Sequence, residues 1–131
     1  MDPEEMLRID NSVRDAFNAG DLNAFDELMA PELAAEFKEG VASLRQAFPD
    51  YAGDNVTQIV DVGAQMTATR FVFHGTHQGD IYGVAPTGKR IEFKGLALNR
   101  YADGKMVESI VELNELDLLR QLGATEVPQE E

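Results

Sequence analysis

The side chains best suited to proton chemistry lie in two short segments of the sequence. His77 stands in the segment GTHQG of residues 75–79, and Glu112 and Asn114 stand near the end of an alternating apolar segment. An imidazole exchanges protons near neutral pH, burial makes a carboxylate a stronger base, and an amide can donate a hydrogen bond to an oxyanion. We therefore predict that His77, Glu112 and Asn114 are catalytic.

Each of these residues also has a purely structural interpretation. His77 could be a histidine that satisfies hydrogen bonds at the end of a strand. Glu112 could be an exposed sheet residue that pairs with Arg70 or Arg100, and Asn114 could bind backbone groups where the strand ends. The choice depends on which face of the sheet these side chains occupy.

Two further motifs are weaker than they look. The segment GVAPTGK of residues 83–89 has the spacing of a phosphate-binding loop, but Arg90 stands where a serine or threonine should hold magnesium, and a strand follows. His74 and His77 suggest a metal pair, but residues three apart on a strand point to opposite faces. We predict neither a nucleotide nor a metal, and no other cofactor.

Helices dominate the first third of the chain. Met6, Ile9, Val13 and Phe17 recur every three or four residues, which predicts a helix that ends at Asn18-Ala19-Gly20. A second, short helix starts at Asp21 and stops at Pro31. A third helix is predicted from Glu39 to Phe48, before Pro49.

The rest of the chain alternates with period two and is rich in β-branched residues, which predicts strands. A short C-terminal helix follows over residues 116–122. An order of helices followed by a meander is typical of an α+β fold in which three N-terminal helices cover one face of a curved antiparallel sheet, with a cavity between them. The predicted strands are Asn55–Asp61, Gln65–Gly75, Ile91–Tyr101 and Lys105–Leu116.

The last strand has two faces of different character. If no bulge intervenes, Val107, Val111 and Leu113 share one face, while Ile110, Glu112 and Asn114 share the other. We expect the mixed face to line the cavity, where polar groups serve a ligand. The apolar face of Val107, Val111 and Leu113 would then bind a second subunit, because an exposed patch of this kind is rare in monomers.

Composition limits the function classes. With 131 residues, 44% of them hydrophobic, the chain is predicted to form one domain over residues 1–123 with a frayed acidic tail over 124–131. A net charge of -13 disfavours nucleic acid and anionic membranes as partners. There is no cysteine and the first residues are acidic, so we expect a cytoplasmic protein without disulfides.

Several short motifs, in this order and spacing, make the chain resemble the SnoaL-like polyketide cyclases of the nuclear-transport-factor-2-like superfamily. They span residues 38–123 and comprise AFPD at 47–50, Arg70, GTHQG at 75–79, Gly83 with PTGK at 86–89, RYADGKMVE at 100–108 and QLG at 121–123. The resemblance implies a cone-shaped α+β barrel and homo-oligomers that pack through the sheet. It also implies cofactor-free aldol ring closure of polyketide esters, with a cavity aspartate as acid and base.

The sequence departs from the family pattern at three places. Asn114 occupies the position of the family's catalytic aspartate, Ile110 that of a tryptophan, and residues 33–37 lack the usual histidine. The resemblance therefore implies the fold more firmly than the aldol chemistry, because an amide cannot accept and return a proton.

We expect a cofactor-independent enzyme that cyclises, isomerises or hydrates a hydrophobic, polyketide-like or isoprenoid-like molecule by proton transfer. The alternatives are a non-catalytic binding protein and an accessory subunit of a larger enzyme. The predicted substrate-binding residues are Arg70, His74, Tyr82, Ile110 and Phe48.

Overall fold

A computed structural model describes residues 1–123, so the predicted tail at 124–131 lies outside the described residues. Four helices and four strands follow one another in the order that the sequence predicts. They are α1 (Pro3–Ala19), α2 (Ala24–Leu28), α3 (Pro31–Ala47), β1 (Ala52–Asp61), β2 (Met66–Thr76), β3 (Arg90–Ala102), β4 (Lys105–Leu113) and α4 (Glu115–Gln121).

The strands form one antiparallel sheet in the order β1-β2-β3-β4. Its register aligns Ile59, Ala68, Leu98 and Ile110 in a row that crosses all four strands. The helices cover the opposite, concave face of the sheet. The predicted α+β fold, with helices packed on a curved sheet of four strands, is confirmed.

Local signals explain both ends of α1. The carboxylate of Asp2 accepts a hydrogen bond from the Glu5 amide at 2.8 Å, and Pro3 follows in the first turn. Gly20 ends the helix with a φ of 66°, a conformation that costs glycine little. The Arg45 guanidinium from α3 donates to the Phe17 and Asn18 carbonyls at 2.9 and 2.6 Å, which satisfies the free carbonyls of the last turn.

Helix α3 begins at Pro31, eight residues before the predicted start at Glu39. Pro31 was expected to break a helix, but proline is well suited to a first turn because its missing N–H has no partner there. Leu33 and Ala34 are buried in the resulting extra turns. Helix α2 has already ended at Leu28, with Met29 as its C-cap, so Pro31 starts α3 and does not end α2.

A β-bulge in β4 reverses the faces that regular alternation predicts. Arg100 pairs with Glu108 and Tyr101 pairs with Met106, so Val107 is left without a partner on β3. Beyond this extra residue the strand turns over. Val111 and Leu113 thus face the helices and line the cavity. The expected subunit contact through Val107, Val111 and Leu113 was therefore wrong, because two of these side chains lie on the inner face of the sheet.

Two clusters of buried side chains form the core. The first joins the three N-terminal helices to Tyr101 and Met106 at the β3–β4 hairpin. The second joins Phe48 and Phe93 to Leu118 on α4. Among the helices of residues 1–123, none has the length and apolar character needed to cross a membrane.

Asp50, in the α3–β1 connection, forms hydrogen bonds with the end of β2. These bonds predict how the stability of the protein changes in acid. Its carboxylate accepts from the Thr76 amide at 2.6 Å and the Thr76 hydroxyl at 2.7 Å. These two bonds, the backbone one first, lower the pKa of Asp50 below its ordinary 3.8. A lowered carboxyl pKa contributes stability above 3.8 that is lost as pH falls through the folded-state value.

We expect Asp50→Asn to unfold more easily than the parent protein at pH 7 in chemical denaturation. The difference should shrink as the pH is lowered below 3.8, because the parent's carboxylate is then neutralised as well. An equal difference at neutral pH and at about pH 2 would contradict the role of charge at Asp50.

Candidate functional site

A cavity of about 130 Å³ lies between the helices and the concave face of the sheet. Aromatic rings make up much of its wall. It reaches the surface beside β4, where Val111 lines it and is 45% exposed. The aromatic lining residues are Phe17, Phe37, Tyr51, Phe71, Phe73 and Phe93.

Glycines on the inner face of the sheet make room for two of these rings. A Cβ atom at Gly53 would lie 1.7 Å from the Phe73 ring, and one at Gly95 would lie 2.4 Å from the Phe71 ring. Any larger residue would push the rings into the cavity. The flat aromatic wall therefore depends on Gly53 and Gly95.

One buried carboxylate belongs to this cavity, that of Asp10 on α1. Asp10 is 6% exposed and lines the cavity. Its Oδ2 accepts from the Thr69 hydroxyl at 2.5 Å and the Gln58 amide at 2.8 Å, whereas Oδ1 accepts, among the described residues, only from the Asn99 amide at 3.5 Å. Oδ1 thus keeps a lone pair free for a further donor.

A chain of hydrogen bonds fixes the group that faces Asp10. The Ser109 hydroxyl donates to the Asn99 carbonyl oxygen at 2.7 Å, so the Asn99 amide nitrogen must point the other way. Its second N–H donates to the Thr67 hydroxyl at 3.2 Å, and Thr67 bonds to the Tyr101 hydroxyl at 2.8 Å. The network fixes the orientation of the Asn99 side-chain amide, because exchanging its oxygen and nitrogen would break the bonds to Ser109 and Thr67.

The two tyrosines near the cavity differ in their hydrogen bonds. Burial and then the charge of Asp10 raise the pKa of Tyr101, whose hydroxyl is bonded to Thr67. The Tyr51 hydroxyl is buried and has no hydrogen-bond partner within residues 1–123, and burial raises its pKa strongly. Both phenols stay protonated at neutral pH, because burial disfavours the charged phenolate.

The predicted catalytic residue His77 lies outside the cavity lining. Its ring is fully buried beside Phe48, at a centroid distance of 5.7 Å. Nδ1 accepts from the Thr87 amide at 3.1 Å, and the His77 backbone bonds to Lys89 and Gly88. The strand ends at Thr76, so His77 leaves the sheet and holds the loop of residues 78–89 closed.

Glu112 and Asn114 are also displaced from the expected place. Because of the bulge at Val107, Glu112 is exposed on the outer face of the sheet. The Asn114 side chain accepts from the Asp117 amide at 3.2 Å and caps α4, since the strand ends at Leu113. Neither residue lines the cavity, and their catalytic roles stay predictions.

The five predicted substrate-binding residues lie outside the cavity lining as well. Arg70 and Ile110 are exposed on the outer face. The Nδ1 atom of His74 lies 3.8 Å from Oε2 of Glu92 on the same face. Tyr82 belongs to the loop before β3, and Phe48 is buried in the core. The structure brings none of these residues to the wall of aromatic rings.

Asp10 and Asn99 are two of the polar cavity residues that sequence reasoning missed. Asp10 follows Met6 by four residues and precedes Val13 by three, so it lies on the apolar stripe of α1. Asn99 alternates with inward-facing Ala97 and Tyr101 on β3. The available signal was the same in both cases. Each polar residue occupies a position at which the helix or strand periodicity predicts an apolar one.

Comparison with known proteins decides the family. The family model described as SnoaL-like polyketide cyclase matches residues 8–122, nearly the whole described chain. The chain belongs to the SnoaL-like polyketide cyclase family. Members of this family bind small-molecule substrates, which agrees with the apolar cavity.

Individual relatives agree with this assignment. Aklanonic acid methyl ester cyclase AcmA of Streptomyces galilaeus is 32% identical over 93 residues, which cover 68% of this chain and 58% of that relative's length. TsrD of Streptomyces laurentii superposes with a TM-score of 0.87 at 21% identity, covering 95% of this chain and 98% of TsrD. IdmH of Streptomyces antibioticus superposes with a TM-score of 0.80 at 26% identity, covering 91% of this chain and 99% of IdmH.

Proposed function

We propose that this protein is a cofactor-independent cyclase that closes a ring in a polyketide-like ester, with Asp10 as the proton-transferring group. The observation that carries the proposal is that Asp10 is, among residues 1–123, the one buried carboxylate in the wall of an apolar cavity. The similarity to AcmA, which is named for its action on aklanonic acid methyl ester, supports this substrate class.

The surroundings of Asp10 suit a general base. Thr69 and Gln58 bond to Oδ2 and hold the carboxylate in one orientation. Oδ1, with its single long bond to Asn99, is the oxygen available for a substrate proton. A base must stand within about 2.6–3.2 Å of the proton donor, which a ligand in this cavity can satisfy.

The reaction needs no further reagent. Asp10 removes a proton from the carbon beside a carbonyl group, and the resulting enolate carbon forms a C–C bond with a second carbonyl carbon of the same molecule. The oxygen of that second carbonyl takes up a proton, and Asp10 returns to its charged form. All atoms are kept, so substrate and product have the same mass.

The cavity volume of about 130 Å³ is below the range of roughly 300–1,000 Å³ of sites for drug-sized ligands. A polyketide ester would therefore place its reacting part inside and extend through the opening beside Val111. This arrangement puts the reacting carbons in the dry interior, where an enolate is protected from water.

The direct test is to incubate the purified, chelator-treated protein with aklanonic acid methyl ester and to follow the products by chromatography and mass spectrometry. The proposal expects a new compound of unchanged mass. Recovery of unaltered ester under conditions where AcmA converts it would contradict a cyclase of this specificity.

A non-catalytic binding protein on the same fold is the second candidate. It is favoured by Asn114, which stands at the position that the resemblance assigns to the family's aspartate. In that case the ester should bind, as calorimetry would detect, and remain chemically unchanged.

We also propose that two copies associate through the outer face of the sheet. Ile59, Leu96, Leu98 and Ile110 on this face are 64%, 57%, 46% and 51% exposed, and three of them lie in one row. Contiguous apolar surface of this kind usually marks an interface. This face replaces the one expected from Val107, Val111 and Leu113.

Leu98→Glu should convert a dimer into a monomer in sedimentation velocity, because a charge would be buried at the centre of the interface. Val62→Glu, at an equally exposed position in the β1–β2 turn, is the matched control and should leave the dimer intact. A parent protein that sediments as a monomer at micromolar concentration would contradict the interface.

A further inference from the structure

Strand β4 lies at an edge of the sheet, where β3 is its one neighbour. The Asn114 amide donates to the Lys94 carbonyl at 2.9 Å, which fixes how hydrogen bonds alternate along the ladder between the two strands. Every second residue of β4 therefore turns its N–H and C=O groups away from β3. In the second half of the strand these residues are Ser109, Val111 and Leu113.

One end of this edge is covered and the other is open. The Met106 carbonyl accepts from the Ala30 amide at 2.9 Å, which closes the edge at the start of the strand. No other backbone group within residues 1–123 bonds to the outward groups between Ser109 and Leu113. Val111, in the middle of this row, is 45% exposed. Unpaired groups on an exposed edge strand are a template for a further extended chain.

The open edge begins at the cavity. Ser109, Val111 and Leu113 place their side chains in the cavity wall, whereas their backbone groups face outward. The outward N–H groups of alternate residues on a strand are about 6.8 Å apart. A chain that leaves the cavity through the opening beside Val111 thus passes along a row of alternating donors and acceptors.

The chemistry of this row selects its occupant. A ketone or ester offers acceptors alone, whereas an amide offers both a donor and an acceptor. One amino-acid unit can therefore exchange two hydrogen bonds with one residue of the edge, as in an antiparallel ladder. A second copy of β4 is disfavoured, because the exposed Glu108 and Glu112 would bring like charges together across the new pair.

We propose that the β4 edge from Ser109 to Leu113 binds an extended, amide-bearing arm of the substrate by antiparallel β-pairing. The reacting part of the substrate occupies the cavity, whose volume of about 130 Å³ leaves the arm outside. The substrate class is thus a carbonyl compound that is joined to a peptide-like chain. This inference rests on the proposed function only for the presence of a reacting part in the cavity.

The test uses N-phenylacetylglycine methylamide and its ester analogue, in which an oxygen atom replaces the glycine N–H. The phenyl group suits the aromatic cavity, and the glycine unit pairs with Val111. In the parent protein, hydrogen exchange followed by NMR should be fast at the Val111 amide and should slow when the amide probe is saturating. The amide probe should bind about fivefold more tightly than the ester analogue, the scale of one net hydrogen bond.

Val111→Pro removes the outward N–H, which an edge strand tolerates because that group makes no ladder bond. Val111→Ala is the matched control, since it shortens the same side chain and keeps the N–H. The amide probe should bind Val111→Pro about fivefold more weakly than Val111→Ala. Equal affinities in the two folded variants would overturn the proposal. So would unchanged exchange at Val111 in the saturated parent protein, a measurement that needs no variant to fold.

Two further measurements distinguish the arm from other occupants of the edge. N-acetylglycine methylamide lacks the phenyl group, so it should leave the exchange at Val111 unchanged at the concentration that saturates the linked probe. Equal protection by this compound would show a site for independent peptides and would overturn the arm. Protection of Val111 that rises with protein concentration, without any probe, would show a second copy on the edge and would overturn it too.

The test also separates this inference from the proposed function. If the amide probe protects Val111 but aklanonic acid methyl ester is not converted, the edge binds an amide-bearing ligand and the cyclase proposal fails alone. If the ester is converted and the amide probe does not change the exchange at Val111, the role of the β4 edge fails alone.

Discussion

Asp10→Asn is expected to lower the turnover of aklanonic acid methyl ester by about 10²–10⁴-fold, the usual contribution of a positioned general base. Asparagine has nearly the same size as aspartate but cannot take up a proton. The measurement is the rate constant of ring closure at saturating ester. Binding of the ester, measured by calorimetry, should persist, because the substitution leaves the aromatic wall of the cavity unchanged.

The variant has a structural cost that must be measured separately. An amide at position 10 would turn N–H groups toward Thr69, Gln58 or Asn99, all of which already donate, and an unsatisfied donor costs about 1–3 kcal/mol. Chemical denaturation gives this loss directly. Assays are then made at a temperature where the variant is fully folded.

Asp15→Asn is a suitable control because Asp15 lies on the same helix and its side chain is 68% exposed, where it pairs with Arg14. Its turnover should equal that of the parent protein. If folded Asp10→Asn also retains full turnover, the base must be another group, and His77→Gln and Glu112→Gln become the next variants to assay.

Much of the fold could be predicted because it depends on local signals. The cap at Asp2, the stripe of Met6 to Phe17 and the left-handed Gly20 define α1 in the sequence as they do in the structure. The Asp103-Gly104 turn, with φ values of 53° and 78°, is a two-residue hairpin loop of the kind that an Asp-Gly pair favours. Each of these features is decided within a few residues.

The position of the site could not be predicted in the same way. The inward face of β4 depends on the bulge at Val107, which arises from pairing with β3 and has no clear mark in the local sequence. One extra residue moves every later side chain to the opposite face. The expected cavity residues Ile110 and Glu112 are exposed for this reason alone.

Asp10 illustrates a different limit. Its place on the apolar stripe is visible in the sequence, but the partners that make its burial tolerable come from three strands: Gln58 on β1, Thr69 on β2 and Asn99 on β3. A carboxylate can be buried when such donors surround it. Only the folded chain brings these residues, up to 89 positions apart, to one carboxylate.

The buried tyrosines predict that the protein unfolds steeply in alkali. Burial raises the pKa of Tyr51 and of Tyr101 well above the ordinary value of 10.0. A raised phenol pKa leaves stability intact below pH 10, where both states keep the proton. Above pH 10 the unfolded chain loses the proton first, so stability falls by about 1.4 kcal/mol per pH unit for each such tyrosine.

Denaturation midpoints measured between pH 9 and pH 12 should show this loss, together with a rise of phenolate absorbance at the unfolding transition. Tyr51→Phe should be at least as stable as the parent protein at pH 7, because it removes a buried hydroxyl that has no partner among residues 1–123, and should lose stability less steeply above pH 10. Tyr101→Phe should show the same reduced slope but lower stability at pH 7, since the bond to Thr67 is lost. If phenolate absorbance rose for all three tyrosines while the protein stayed folded, these two phenols could not be buried as the structure places them.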